Sequence, residues 1–201
     1  MYKYFYSNAD YTAALIKKKR KLDLNSDIDL MLKVQKGETA YLGILFERYK
    51  LQLFGFFFRT SGNRAASEDM VQNVFFRILK YKDRFSGHGK FSSWLYQIAR
   101  NVNYDYFKIN SRYHISDEMD FADEENSNAE QTLIRKENTK MLNTAMMRLS
   151  AEKREVLVLS RYQNLKYKEI AEILDCSEGN VKIKVFRALS DLRQIYSQLE
   201  A

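Results

Sequence analysis

The sequence predicts an all-α protein in which two helical domains are joined by an acidic, flexible linker. Three observations support this fold class. The 201 residues include no proline and only seven glycines, whereas average usage would supply roughly ten prolines. Apolar residues recur at helical spacing in most of the chain, and no segment alternates apolar and polar residues over the length of a strand. Long helices are therefore expected.

Four helices are predicted in the first domain, each from apolar spacing and a start or stop residue. Ser26 is a candidate N-cap, with Asp29 three residues later and Gly37 as the stop. The second helix is predicted over residues 38–59, with Gly62 ending it. The third, over residues 65–81, is expected to bury Met70, Val71, Val74, Phe75, Ile78 and Leu79. The fourth follows a glycine loop at 85–91, is capped by Ser92 or Ser93, and is expected to bury Trp94, Ile98 and Tyr106.

The second domain is also predicted to be helical throughout. Residues 133–149 are periodic, and Ser150 is a fair N-cap for the next helix. Two further helices are expected over residues 167–174 and 178–199, which completes the second domain.

Charge is distributed unevenly along the chain, whose formal net charge is +7. Residues 1–112 hold 20 Lys and Arg against 10 Asp and Glu, residues 113–134 hold none against seven, and residues 135–201 hold 13 against nine. Two basic domains on either side of an acidic connector predict a polyanionic partner. Simple solubility explains the charge about equally well.

The domain boundaries follow from these patterns. We expect an N-terminal extension over residues 1–25, a first domain over 26–112, an acidic linker over 113–134 and a second domain over 135–201. The extension carries a basic run at residues 17–21; we predict that it is disordered, with DNA contact as the alternative. The linker is rich in Asp, Glu, Asn and Ser, which is typical of flexible connectors.

Several function classes are disfavoured by composition. A lone cysteine, Cys176, excludes an intramolecular disulfide, and only two histidines are present, so neither a metal site nor a cofactor is expected. No grouping of residues resembles a catalytic constellation, and an enzyme is not expected. No apolar run is long enough to cross a membrane and no secretory signal is recognisable, so a cytoplasmic protein is expected.

The C-terminal helix pair has helix-turn-helix spacing. Ala171 is small enough to let two helices approach, the turn Asp175-Cys176-Ser177 follows, and Val181 lies ten residues after Ala171. Asp tolerates the left-handed conformation that such turns require. Ser177 is predicted to cap the second helix, which would present Asn180, Lys182, Lys184 and Arg187 to a DNA groove. The alternative is a structural helical hairpin with a solvated basic face.

Two other segments stand out. Asp69, Gln72, Asn73 and Phe76 share one face of the third helix, where Phe76 is either a protein-binding anchor or part of a broad core. In the glycine loop and the helix after it, basic and aromatic residues interleave as in surfaces that bind unpaired bases. The candidate contacts there are Gly87, Gly89, Lys90, Phe91, Tyr96, Arg100, Asn101, Tyr104 and Lys108. For Phe91, Tyr96 and Tyr104, a place in the core is the alternative.

Together these motifs resemble the extracytoplasmic-function (ECF) sigma factors, compact two-domain members of the sigma-70 family. The resemblance is carried by Ser67–Ile78, by Phe91–Tyr106, and by the helix-turn-helix segments Tyr167–Leu174 and Gly179–Leu189. A helix-turn-helix alone would also fit other regulators, but its combination with the two earlier segments is specific. The resemblance covers about residues 26–108 and 138–197.

The resemblance implies a promoter-specificity subunit of RNA polymerase. Asp69, Gln72, Asn73 and Phe76 would dock on the clamp helices of the polymerase largest subunit. The loop Ser86–Lys90, with Ser86 and His88 among its contacts, and the helix after it would recognise and open the −10 element. One base would flip into a pocket shaped by the loop. The recognition helix would read the −35 element and rest on the polymerase flap. The resemblance also implies an anti-sigma factor as regulatory partner. Without the resemblance, a DNA-binding regulator that acts without polymerase and a helical interaction protein remain open.

Overall fold

A computed structural model describes residues 26–110, 129–163 and 165–200, and every regular element in these ranges is helical. The N-terminal bundle contains α1 (Asp27–Gln35), α2 (Ala40–Ser61), α3 (Arg64–Lys80) and α4 (Phe91–Asn110), with a 3-10 turn at Lys82–Arg84. The C-terminal bundle contains α5 (Ala129–Arg148), α6 (Ala151–Tyr162), α7 (Tyr167–Leu174) and α8 (Glu178–Glu200). The all-α prediction is confirmed.

Several helix ends lie where local cap chemistry predicted them. The Ser26 hydroxyl oxygen accepts from the Asp29 backbone N–H at 3.1 Å, and the Asp29 carboxylate accepts from the Ser26 backbone N–H at 3.3 Å. This reciprocal pair satisfies two N–H groups that the first turn leaves unpaired. Gly62 ends α2 with φ of 73°, a conformation that favours glycine.

Other sequence predictions were wrong. Helix α4 begins at Phe91, so Ser92 and Ser93 lie inside its first turn instead of capping it, and the buried Ser93 hydroxyl has no hydrogen-bond partner. Leu79 was predicted to be buried, but it is exposed. Ser150 occupies the N-cap position of α6, yet its side chain makes no capping bond.

The predicted linker and extension lie largely outside the described residues. Residues 1–25 and 113–128 are not among those described, so the disorder prediction is not tested. Helix α5 begins at Ala129, six residues before the predicted start of the second domain at residue 135. Ala, Glu and Gln at 129–131 are good helix formers, which explains why the helix extends into the acidic segment.

The buried side chains of both bundles form one continuous apolar cluster. Helix α2 packs on α1 and α3 on one side and on α5 and α6 on the other, and α4 packs on α3 and α7. The C-terminal bundle therefore covers part of the surface that α2 and α4 leave uncovered within the N-terminal bundle.

Candidate nucleic-acid interface

The predicted protein-binding residues form an exposed patch, which we call the α3 face (Asp69, Gln72, Asn73 and Phe76). Phe76 is 67% exposed, whereas Phe75 is buried and packs edge-on against Phe46, with 5.0 Å between ring centroids. The structure therefore settles the sequence ambiguity, because Phe76 is not part of the core. A large apolar side chain among polar neighbours is typical of a protein-binding anchor.

Asn73 connects the α3 face to α4. Its side-chain oxygen accepts from Arg77 Nε at 2.9 Å, and Arg77 Nη2 pairs with the Asp105 carboxylate on α4 at 2.7 Å. This arrangement fixes the α3 face relative to the helix that carries the candidate base-binding residues.

The glycine loop before α4 is held to the core at Phe85, and the residues that follow Phe85 are largely exposed. Phe85 is buried, with its ring centroid 5.1 Å from that of Trp94, and its carbonyl accepts from Gln35 Nε2 at 2.7 Å. Gly87 and Gly89 have φ values of 72° and 77°. A side chain at either position would strain this backbone.

The loop leaves its polar groups open to solvent. Ser86, His88, Gly89 and Lys90 are exposed, and the Ser86 hydroxyl accepts from the His88 backbone N–H at 3.2 Å. On α4, Asn101, Tyr104 and Lys108 are exposed and follow one another at i, i+3 and i+7, so they form a single stripe. Tyr104 is the aromatic ring in this stripe that is open to stacking.

Two of the predicted base-binding aromatics are buried. Phe91 is 2% exposed and packs against Tyr49, Phe85 and Trp94. This position fits a core residue and does not fit stacking on a base. Tyr96 is 1% exposed, and its phenol donates to Gln163 of the C-terminal bundle at 2.5 Å. Burial raises the pKa of the Tyr96 phenol.

Two basic residues of the same surface are also engaged by the C-terminal bundle. Lys90 Nζ lies 2.9 Å from Glu169 Oε1 on α7, and Arg100 Nε lies 3.1 Å from Glu155 Oε2 on α6. Burial raises the pKa of the Glu155 carboxyl, against the opposing effect of Arg100. Burial also acts to raise the pKa of Glu169, but hydrogen bonds from Lys166 and Lys90 outweigh it and lower that pKa overall.

The helix-turn-helix is built as predicted. Asp175 has φ of 50°, and the Cys176 backbone N–H donates to the Ala171 carbonyl at 3.0 Å. Ala171 and Val181 are both buried where α7 meets α8. The small side chain on one helix and the apolar side chain on the other thus set the close approach of the pair.

The recognition helix α8 presents a basic face. The Ser177 hydroxyl oxygen accepts from the Asn180 backbone N–H at 3.2 Å, and Val181, Val185 and Ala188 are buried on the opposite side. The polar residues on the solvent side are Asn180, Lys182, Lys184 and Arg187.

The structure adds two apolar residues to this face that the sequence reasoning did not select. Phe186 is 73% exposed and Ile183 is exposed beside it, one helical turn earlier. The sequence reasoning missed these two residues because α8 also contains buried apolar residues, and the spacing placed Ile183 on a different face of the helix.

Two other kinds of site were searched for in the described ranges. These residues contain no cluster of His, Cys, Asp or Glu that could hold a metal ion, and no described helix is long and apolar enough to cross a membrane.

Comparisons with known proteins match both bundles. The family model of Sigma-70 region 2 matches residues 45–113, and that of Sigma-70, region 4 matches residues 139–192. The ECF RNA polymerase sigma-E factor of Escherichia coli is 30% identical over 175 residues, which are 81% of this chain and 90% of that protein. The chain belongs to the ECF sigma factors. It is therefore a promoter-recognising factor that directs transcription initiation by RNA polymerase.

Other similar proteins belong to the same family or share its fold. The ECF sigma factor BldN of Streptomyces coelicolor is 28% identical over 172 residues, which are 84% of this chain and 65% of BldN. The solved structure of CnrH in complex with the cytosolic domain of CnrY matches with a TM-score of 0.67 at 21% identity, covering 87% of this sigma factor and 99% of CnrH. The sigma factor RpoE in complex with the anti-sigma factor NepR from Bartonella quintana matches with a TM-score of 0.65 at 20% identity. The match covers 77% of this chain and 96% of the chain in that structure.

Proposed function

We propose that the α3 face docks this sigma factor on the clamp helices of the polymerase largest subunit. The observation that carries this proposal is the exposure of Phe76, which is 67% exposed on a helix whose other phenylalanine is buried. Asp69 and Gln72 flank it and supply polar contacts that fix orientation.

The loop at residues 86–90 and the exposed stripe of α4 bind the −10 element in this proposal. Lys90, Arg100 and Lys108 supply the salt-dependent attraction to phosphates, and Tyr104 supplies a ring on which a base can stack. Gly87 and Gly89 carry no side chain, so a flipped base can approach the backbone of the loop closely.

The recognition helix α8 binds the −35 element in the major groove. The start of α8, which Ser177 caps, faces a phosphate. Asn180, Lys182, Lys184 and Arg187 lie on the solvent side of the first three turns. The same bundle rests on the polymerase flap. The domains that carry these surfaces span residues 26–112 and 135–201.

The mechanism needs binding energy and no catalytic step. Unstacking and unpairing a base costs a few kcal/mol, stacking on an aromatic side chain returns about 1–3 kcal/mol, and phosphate contacts contribute the rest. Because polymerase and promoter are its partners, the protein works in the cytoplasm. An anti-sigma factor is its expected regulator, since the solved structure of RpoE from Bartonella quintana, which has a similar fold, is a complex with the anti-sigma factor NepR.

Removing the Phe76 ring tests the docking proposal. We expect Phe76→Ala to weaken the affinity for core polymerase by about tenfold, because an exposed anchor contributes on the order of 1–2 kcal/mol. Leu51→Ala is the matched control, since Leu51 is an exposed apolar residue on α2, away from the α3 face. Equal loss in both variants, or no loss in either, would contradict the assignment.

A further inference from the structure

The solvent side of the recognition helix α8 has an apolar centre, and the inference drawn from it rests on the proposal that α8 binds −35 DNA. Val181, Val185 and Ala188 are buried and define the inner side of the helix. Because successive residues of an α-helix are about 100° apart, the residue opposite the middle of this buried stripe is Ile183. Its side chain is 49% exposed. A branched apolar side chain therefore stands where α8 projects furthest from its own bundle.

The neighbours of Ile183 along the helix extend this centre. Phe186 follows one turn later and is 73% exposed. Asn180 lies one turn before Ile183 and Arg187 one turn after it, and both are exposed. The middle of the solvent side thus combines two apolar side chains with one amide and one guanidinium.

Two lysines lie on either side of this centre. Lys182 and Lys184 are the sequence neighbours of Ile183, so they project to opposite flanks of the helix, and both are exposed. Lys182 Nζ lies 3.2 Å from Glu178 Oε1, but an exposed pair of this kind contributes little and leaves the lysine available to a phosphate.

This order across the helix matches the order of groups across a major groove. A helix in the groove has a phosphate backbone on each side, and its innermost side chains meet the base edges. The two lysines are then placed for phosphates and Ile183 for a base edge. This charge pattern favours DNA over the other candidate occupant, an apolar surface of the polymerase flap.

The chemistry of Ile183 selects one base. The C5-methyl group of thymine is the apolar group that a base pair presents in the major groove. Isoleucine has no donor or acceptor in its side chain, so a guanine oxygen or a cytosine amino group pressed against it would lose water without gaining a partner. Ile183 therefore favours thymine by contact and disfavours a G·C pair by the unpaired polar group.

We propose that Ile183, supported by Phe186, reads a thymine of the −35 element through its methyl group. Ile183 is then a specificity-determining residue, and Lys182 and Lys184 hold the phosphates on either side without sequence preference.

The test removes the methyl group from the DNA and the side chain from the protein, singly and together. Duplexes carry a promoter from which the chain and core polymerase start transcription, and in each duplex one thymine of the −35 segment is replaced by uracil, which lacks only the methyl group. The full-length proteins are the wild type, Ile183→Ser and Ile109→Ser, each with core polymerase. Ile109 is the matched control, an exposed isoleucine of α4 that lies outside α8. Competition binding, at a temperature too low for promoter melting, measures each affinity.

We expect at least one thymine at which uracil weakens binding by the wild type and by Ile109→Ser about fourfold, the effect of one buried methyl group. At that position uracil should not weaken binding by Ile183→Ser, because the side chain that contacts the methyl group is already gone. This non-additivity of the two changes is the signature of a direct contact.

Three results would overturn the inference and leave the −35 assignment standing. The first is tolerance of uracil at every position. The second is an equal loss with uracil in the wild type and Ile183→Ser, which would give the methyl contact to another residue. The third is weaker binding of Ile183→Ser to core polymerase with no effect of uracil, which would place this side chain on the flap. If scrambling the whole −35 segment leaves the affinity of all three proteins unchanged, the −35 assignment itself is wrong and the inference falls with it.

Discussion

At the scale of single residues, Arg154 shows how a polar side chain can hold two bundles together. It is buried on α6 and donates to the carbonyls of Thr60, Met147 and Leu149. Two of these lie near the end of α5 and one near the end of α2, where helices leave carbonyls unpaired. Burial lowers the pKa of the Arg154 guanidinium, and these carbonyls offset the cost of burying its charge.

Arg154→Ala should lower the free energy of unfolding by about 3 kcal/mol, because it leaves buried carbonyls without a donor. Urea denaturation followed by circular dichroism measures the change. Arg161→Ala, on the exposed side of the same helix, should change the free energy of unfolding by less than about 0.5 kcal/mol. Equal destabilisation by both would show that the buried bonds contribute nothing specific.

Arg187→Ala should weaken binding to a −35 duplex by about tenfold or more, because an arginine that reaches the groove contributes about 1–3 kcal/mol. Arg193→Ala is the control on the same helix, two turns further from the start of the recognition helix and also exposed. Gel-shift titration at fixed salt measures both affinities. An unchanged affinity in the Arg187 variant would remove this residue from the interface.

At the scale of elements, the ends of helices were predictable where their cause is local. Ser26 with Asp29, Gly62, Asp175 and Ser177 each act within a few residues of the backbone group that they satisfy, and all four are in their predicted roles. The start of α4 was not predictable in this way. Phe91 begins that helix because its ring is held in the core by Phe85 and Trp94, and packing of this kind is invisible to a search for cap residues.

The helix-turn-helix turn offers a test at this scale, since Asp175 is the one non-glycine residue with positive φ in the described part of the chain. Asp175→Gly should raise the free energy of unfolding slightly, and Asp175→Val should lower it by about 1–2 kcal/mol, because a β-branched side chain is strained in this conformation. Thermal melting of the wild type and both variants measures their order of stability. The interpretation of this turn is contradicted if the valine variant is as stable as the wild type.

At the scale of the whole molecule, the separate surfaces could be predicted but their mutual arrangement could not. The α3 face, the glycine loop and the recognition helix are each encoded in a short segment, so residue spacing identified all three. The contacts of Glu155 with Arg100 and of Glu169 with Lys90 join residues 55 and 79 positions apart in the chain. No local pattern distinguishes these two glutamates from Glu152 and Glu172, which lie on the same helices and face solvent.

The central claim is that this chain enables core polymerase to begin RNA synthesis at defined promoters. The most direct measurement is transcription in vitro from a library of genomic fragments with core polymerase and the purified chain, followed by mapping of RNA 5′ ends. We predict transcripts from a limited set of start sites that share sequence near −35 and −10, and their loss when Phe76→Ala replaces the wild type at limiting concentration. Absence of transcripts above the level of core polymerase alone, with a folded chain, would contradict the account.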